Sequence, residues 1–223
     1  CRQPLCEAAR ADKNLARHVV SGLIVDPQAQ QRWLIDATPD LRAQVELARG
    51  HGGPAADASG RPPLFDGIFL THAHMGHYAG LVHLGREAYG SQTTPLYTSP
   101  SMGQYLRSNG PWSLLFEGGH LQQLDLEVGQ PLQLSPAISV TPLPVAHRGE
   151  FSDTLAFAIQ GPRRRVLYLQ LQPQRHVVCV RLSQRLLRAL RVQQGCFFTG
   201  GNSVFPEFHF WRNSGNSGNS SEP

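Results

Sequence analysis

The stretch that most limits what this chain can fold into is residues 64–81, where an apolar run, Ile68-Phe69-Leu70, delivers three histidines, His72, His74 and His77. The run follows the turn signal Asp66-Gly67 and has no polar interruption, the pattern of a short strand buried on both faces. In an extended segment side chains alternate, so His72 and His74 point the same way; a helix would set them about 200° apart. Gly76 then permits a backbone turn that few other residues allow. His77 opens a segment with apolar residues at Tyr78, Leu81, Val82 and Ala88, which predicts a helix over 81–88. Three imidazoles are thus expected at one strand-to-helix junction. Neutral imidazole ligates zinc and also suits iron, copper and nickel, so the spacing argues for a metal before it argues for a reaction. Unrelated surface histidines are the competing reading in a chain with ten histidines. The position directly after a buried strand favours the metal.

Composition sets the outer bounds. At 223 residues and 40% hydrophobic content, the chain is long enough for one packed domain. No apolar run approaches the roughly 20 residues that span a bilayer, so no membrane segment is expected. Cys1, Cys6, Cys179 and Cys196 are too sparse for a disulfide framework, which points to a reducing cytoplasm. The first methionine is Met75, so an upstream piece is expected to be missing. Residues 1–162 hold 11 basic and 14 acidic groups, a net −3, and residues 163–223 hold 9 and 2, a net +7. The late arginines read as a solvated face rather than as a nucleic-acid surface.

Taken in order, residues 1–17 read as a cysteine-bearing loop with a helical turn, and 19–25 and 32–35 as a hairpin around Asp26-Pro27 that ends at Asp36. A helix over 41–49 has Asp40 as its N-cap. Residues 50–63 form a Gly- and Pro-rich loop. A strand over 95–98 and a helix over 101–107 follow, then a break at Asn109-Gly110-Pro111. Trp112, Leu114, Leu115 and Phe116 are expected in the core, and His83 and His120 at packing or surface positions. The text from 121 to 159 is strand-like and reads as a second sheet, with His147 in the loop between its last two strands. Glu150, Ser152 and Asp153 offer proton-handling groups in that loop. After a strand over 166–169, residues 177–192 carry leucines on one face and arginines on the other, an amphipathic helix. Residues 212–223 are a low-complexity tail.

Thr71-His72-Ala73-His74-Met75-Gly76-His77 resembles the His-x-His-x-Asp-His signature of the metallo-β-lactamase superfamily, within it the branch that holds coenzyme PQQ synthesis protein B. Trp33-Leu34-Ile35-Asp36-Ala37 resembles the superfamily's first motif, Pro111-Trp112-Ser113-Leu114-Leu115 a feature of the branch, and Pro144-Val145-Ala146-His147-Arg148 the motif that supplies a third metal histidine. Cys1 and Cys6 resemble the ends of a cysteine cluster whose middle position is Gln3 here, so a structural zinc lacks a ligand. The resemblance fades beyond Leu169. The C-terminal fifth therefore reads as divergent or as the product of a shifted reading frame, with a single domain over 1–195 and a divergent tail over 196–223.

The residues alone predict mixed α and β; the resemblance implies an α/β four-layer αββα sandwich with the site on its rim. It implies that His72, His74 and His147 hold a metal, that His77 faces a second position, and that Asp36 is a carboxylate behind a ligand imidazole. Gly76 stands where most superfamily hydrolases have an aspartate that ligates a second metal, and Leu171 near the place of a second carboxylate. About one ion per chain is therefore expected, because a second dication would face one neutral ligand and the charge of the first. His77 would then be a weak ligand that touches water or substrate. Three imidazoles and one open position suit Zn2+ that activates water, with Asp153 or Glu150 taking the proton. The alternatives are an Fe2+- and oxygen-dependent protein of PQQ biosynthesis and a non-enzymatic relic of the fold. A small-molecule or peptide substrate is expected, and the residues do not name it.

Overall fold

The computed structural model describes residues 2–55, 61–171, 176–181 and 208–210. Helix α1 (Pro4–Ala11) precedes the hairpin β1 (Gly22–Asp26) and β2 (Gln31–Ile35), and α2 (Leu41–Leu47) leads to β3 (Gly67–Phe69). The short helix α3 (Met75–Tyr78) and a 3₁₀ segment (Ala79–Leu84) follow, then β4 (Thr94–Thr98), α4 (Pro100–Ser108), α5 (Ser113–Glu117) and β5 (Leu121–Asp125). The remaining elements are β6 (Leu132–Gln133), β7 (Ser139–Pro144), β8 (Leu155–Gln160), β9 (Arg165–Leu171), β10 (His176–Arg181) and β11 (Phe208–Phe210). They form a six-stranded sheet, β11-β1-β2-β3-β4-β5, and a five-stranded sheet, β10-β9-β8-β7-β6.

Alternation along the strands sorts their side chains between two cores. Leu23, Val25, Leu34, Ile68 and Leu70 pack with Tyr78, Leu81, Leu106 and Leu115 on the helical side of the first sheet. Their neighbours Ile24, Trp33, Ile35 and Phe69 face the other way and meet Phe157, Ile159, Val166 and Tyr168 of the second sheet. Phe69 joins the sheets: it stacks on Tyr97 at 4.5 Å and meets Phe157 edge-on at 5.4 Å. Each of these large side chains, buried fully, contributes about 1.5–3 kcal/mol. The outer face of the second sheet carries a third cluster of Ala156, Ala158 and Leu167. Among the described residues the layers are helices, sheet and sheet. No described helix is long and apolar enough to cross a membrane.

Arg32 fixes the approach to β3. Its guanidinium donates to Ala48 O (2.7 Å) and to Leu64 O (2.9 and 3.1 Å), and its amide donates to Asp66 Oδ2 at 2.7 Å. The loop between α2 and β3 is therefore pinned at both ends to one side chain, although the middle of it, residues 56–60, is outside the described set.

Several expectations are corrected. The strand over 121–126 belongs to the first sheet, where β5 pairs parallel with β4: a strand, a helical connection and a second strand give a parallel neighbour. The helix over 81–88 is instead the 3₁₀ segment ending at Leu84. Buried Leu81 and Leu84 are three residues apart, a spacing that suits 3₁₀ geometry equally well. Leu114 is 61% exposed, whereas Trp112 and Leu115 are buried. Residues 176–181 are strand β10, antiparallel to β9, not the start of a helix; 182–192 lie outside the described residues. Phe208–Phe210, within the expected tail, pairs with β1. The 195/196 boundary and the 212–223 repeat are also outside the described residues.

Candidate metal centre

The three motif histidines sit where the two sheets meet. After β3, Leu70 N donates to Tyr97 O at 3.0 Å, and Thr71 O accepts from Leu155 N at 2.9 Å, so one extended segment is tied to β4 of the first sheet and β8 of the second. His74 is itself extended (φ −100°, ψ 137°). Ala73 turns into the core, while the rings of buried His72 and part-buried His74 come together away from it. His77 follows within α3, and the β7–β8 loop brings His147 across. His72, His74 and His147 each offer a ring nitrogen, all within 4.8 Å of one another. The His72 ring lies 4.2 Å from that of His77 and 4.8 Å from that of His147.

Gly76 does not supply the turn. It lies inside α3, and a Cβ built there would meet only Val19, at 3.8 Å. The close approach is at Gly80, where a Cβ would fall 2.0 Å from Thr38 O. Gly80 N donates to Ala37 O at 2.9 Å, which presses the 3₁₀ segment against the backbone next to Asp36.

Asp36 is fully buried, with φ at +65°, in the left-handed region that Asp and Asn tolerate better than most residues. Its Oδ1 accepts from Thr71 N (2.9 Å), both its oxygens lie 3.0 Å from Thr71 Oγ1, and its Oδ2 lies 2.8 Å from His77 Nδ1. The sequence reading of Asp36 as a carboxylate behind an imidazole did not specify which one; the geometry reaches two. A carboxylate only accepts, so the single Thr71 hydroxyl proton goes to Asp36 and Thr71 Oγ1 accepts from His72 Nδ1 at 2.9 Å. That contact leaves His72 Nε2 without a proton.

His74 is set from the other side. Its Nε2 lies 3.0 Å from Glu150 Oε2, so the proton sits on Nε2 and Nδ1 is bare. The bare atoms, His72 Nε2 and His74 Nδ1, face each other at 2.7 Å. Two lone pairs repel at that distance unless a cation lies between or beside them, either a proton or a metal. Burial, and then the neighbouring His77, His74 and His147, push the His72 pKa down to about 2, and burial also lowers that of His147. Neutral imidazoles are what a metal requires. Ligand nitrogens on a tetrahedral metal with bonds of 2.0–2.1 Å are about 3.3 Å apart, so the pair opens by roughly 0.6 Å to admit one. The donor set fits a metal ion.

The two carboxylates expected to take a proton are both engaged. Glu150 Oε1 also lies 2.6 Å from Arg148 Nε, and the His74 hydrogen bond, followed by its own backbone amide, holds its carboxyl below the usual range. Asp153 Oδ1 accepts from the hydroxyls of Ser99 and Ser101 at the start of α4. Ser152 Oγ accepts from Ala73 N and donates to Asp153 O, both at 2.9 Å, and so docks the β7–β8 loop against the histidine motif. Ser152, expected from the sequence to handle protons, instead holds the loop in place. Thr71 and Arg148 stand inside the histidine motifs, but sequence reasoning assigned neither a role at the site. Away from the cluster, His120 Nδ1 is hydrogen-bonded to Ser91 O at 2.8 Å and His83 lies on the 3₁₀ segment.

Comparison with known proteins agrees with this architecture. Residues 31–169 match the family described as the Beta-lactamase superfamily domain. The chain belongs to this family. It is 24% identical over 214 residues to coenzyme PQQ synthesis protein B of Methylobacterium nodulans, a match that takes in 90% of this chain and 67% of the relative. Among solved structures, it resembles Zn2+-bound PqqB from Methylobacterium extorquens with a TM-score of 0.59 at 20% identity, over 76% of this chain and 58% of that one. A diphosphatase of the PhnP family gives a TM-score of 0.50 at 20% identity, over 71% and 55%. The α/β metallo-β-lactamase sandwich is therefore the fold, with PQQ synthesis protein B among the relatives, and the chain spans little more than half of either solved structure.

Proposed function

We propose that the chain is a metal-dependent hydrolase that holds one Zn2+ on His72, His74 and His147 and acts on a small-molecule or peptide substrate in the cytoplasm. The observation that carries this reading is the 2.7 Å approach of His72 Nε2 to His74 Nδ1, with the second nitrogen of each ring already committed to Thr71 and Glu150. A metal held by three neutral imidazoles with one open position lowers the pKa of bound water from 15.7 to roughly 7 and polarises an acyl or phosphoryl oxygen. Around it, the chain's own residues manage protons. Asp36 accepts from His77 Nδ1 and so keeps that proton in place. His77 Nε2 is then the acceptor for a proton from a hydrolytic water, and Asp36 stabilises the imidazolium that forms. Glu150 and Asp153 are engaged by His74, Arg148, Ser99 and Ser101, so the proton falls to His77. Gly76 supplies no carboxylate for a second ion, and the notion of one ion per chain rests on that absence.

The test pairs elemental analysis with turnover of a panel of carboxylic and phosphoric esters. Zinc together with hydrolysis that His77→Ala abolishes, while the metal stays bound, supports the proposal. Metal-dependent oxygen uptake without hydrolysis would replace it.

A second reading is favoured by the 24% identity to PQQ synthesis protein B: a role in PQQ biosynthesis, with Fe2+ in the same histidine set. Restoration of PQQ production in cells lacking that protein would support it.

A further inference from the structure

We infer that Glu150 is a positioning residue for the metal site: together with Arg148 it selects Nδ1 of His74 as the ligating atom and ties that choice to the docking of the β7–β8 loop. The inference rests on the metal-centre reading above. Imidazole can bind a metal through either nitrogen, and the other nitrogen's partner decides which. His72 receives its instruction from Thr71 and Asp36, both on the first sheet's rim. His74 receives its own from a different part of the chain, 76 residues away, through Glu150 Oε2 at 3.0 Å.

Glu150 is itself aimed. Arg148 Nε lies 2.6 Å from Oε1, the oxygen that His74 does not use, so the carboxylate bridges a guanidinium and an imidazole. Arg148 adjoins His147, and the loop that carries all three is fixed at its far end by Ser152 to Ala73 N and by Asp153 to Ser99 and Ser101. One loop therefore contributes a ligand, His147, and also the group that orients a ligand on another element. When that loop docks, His147 arrives and the tautomer of His74 is set in the same event. A carboxylate in this position raises the basicity of the ligand imidazole and restricts its ring. The arrangement also explains why Glu150 is a poor candidate for taking a proton from water: both of its oxygens face donors that are already paired with it.

The experiment measures Zn2+ affinity of the full chain by competition with a chromogenic chelator, and the visible spectrum of the Co2+-loaded form, for the wild type, Glu150→Ala, Glu150→Gln and Arg148→Ala. Glu150→Ala is expected to weaken Zn2+ binding by about 10- to 100-fold and to shift the Co2+ bands. Its metal-free melting temperature should stay unchanged, because the side chain is 42% exposed. Glu150→Gln keeps an acceptor oxygen and should recover most of the affinity, and Arg148→Ala should fall between the two. Equal Zn2+ affinity in wild type and Glu150→Ala would overturn this inference alone. No Zn2+ binding by the wild type would overturn the metal-centre reading and this inference with it.

Discussion

Asp36 Oδ2 lies 2.8 Å from His77 Nδ1, while the same carboxylate takes the amide and hydroxyl of Thr71, which in turn meets His72 Nδ1 at 2.9 Å. A single buried carboxylate thereby sets the tautomers of two imidazoles. Both arms fail together if its acceptors are lost.

Asp36→Asn tests this with little backbone disturbance, since Asn also tolerates the left-handed conformation. Its amide would point hydrogens at groups that themselves donate. Leaving a buried donor unpaired costs about 1–3 kcal/mol, which for a chain of this size lowers Tm by roughly 2–12 °C. Zn2+ affinity should fall about 10- to 100-fold as well. An unchanged Tm in the metal-free protein would show that the Asp36–Thr71–His77 contacts do not stabilise the fold.

The depressed pKa of His72 makes the metal-free protein sensitive to acid. Burial keeps the folded-state value near 2, against 6.5 for the free side chain. The unfolded chain therefore binds the extra proton first, and stability present above pH 6.5 is lost as pH falls below it. The slope from this one group is at most about 1.4 kcal/mol per pH unit. Thermal melts between pH 8 and pH 5 should show Tm falling on the acid side, and His72→Gln should flatten that part of the curve. Parallel curves for the two proteins would remove His72 as the cause.

Two glycines near the motif should behave oppositely. A methyl at Gly80 would sit 2.0 Å from Thr38 O, whereas at Gly76 the nearest atom is 3.8 Å away. Gly80→Ala must shift backbone and should destabilise by about 1–3 kcal/mol or more. Gly76→Ala should melt within about 0.5 kcal/mol of wild type, or slightly above it, because alanine favours a helix. Equal melting temperatures for the two variants would contradict the packing described around Ala37 and Thr38.

The sequence is most legible where period and chemistry coincide. Ile68-Phe69-Leu70 reads as a strand buried on both faces because no polar residue marks an outside, and the structure divides these side chains between two cores. His72 and His74 follow at a spacing that only extended backbone turns to one side. Sheet membership was not legible for residues 121–126, since a two-residue period identifies a strand and is silent about its partner. Nor was the helix over 81–88 separable from a 3₁₀ segment on two leucines three residues apart. His74, Ser99 and Ser101, which meet Glu150 and Asp153, lie 52 to 76 residues away from them, and no local pattern encodes such contacts. The resemblance brought His147 to the site; spacing alone had no way to do so.

The most direct test of the central claim is metal stoichiometry by elemental analysis of the purified chain and of His72→Ala, His74→Ala, His147→Ala and His77→Ala. The account predicts about one tightly bound ion in the wild type, its loss in each of the first three variants, and its retention in His77→Ala. Two tight ions per chain, or loss in His77→Ala equal to that in His74→Ala, would contradict it.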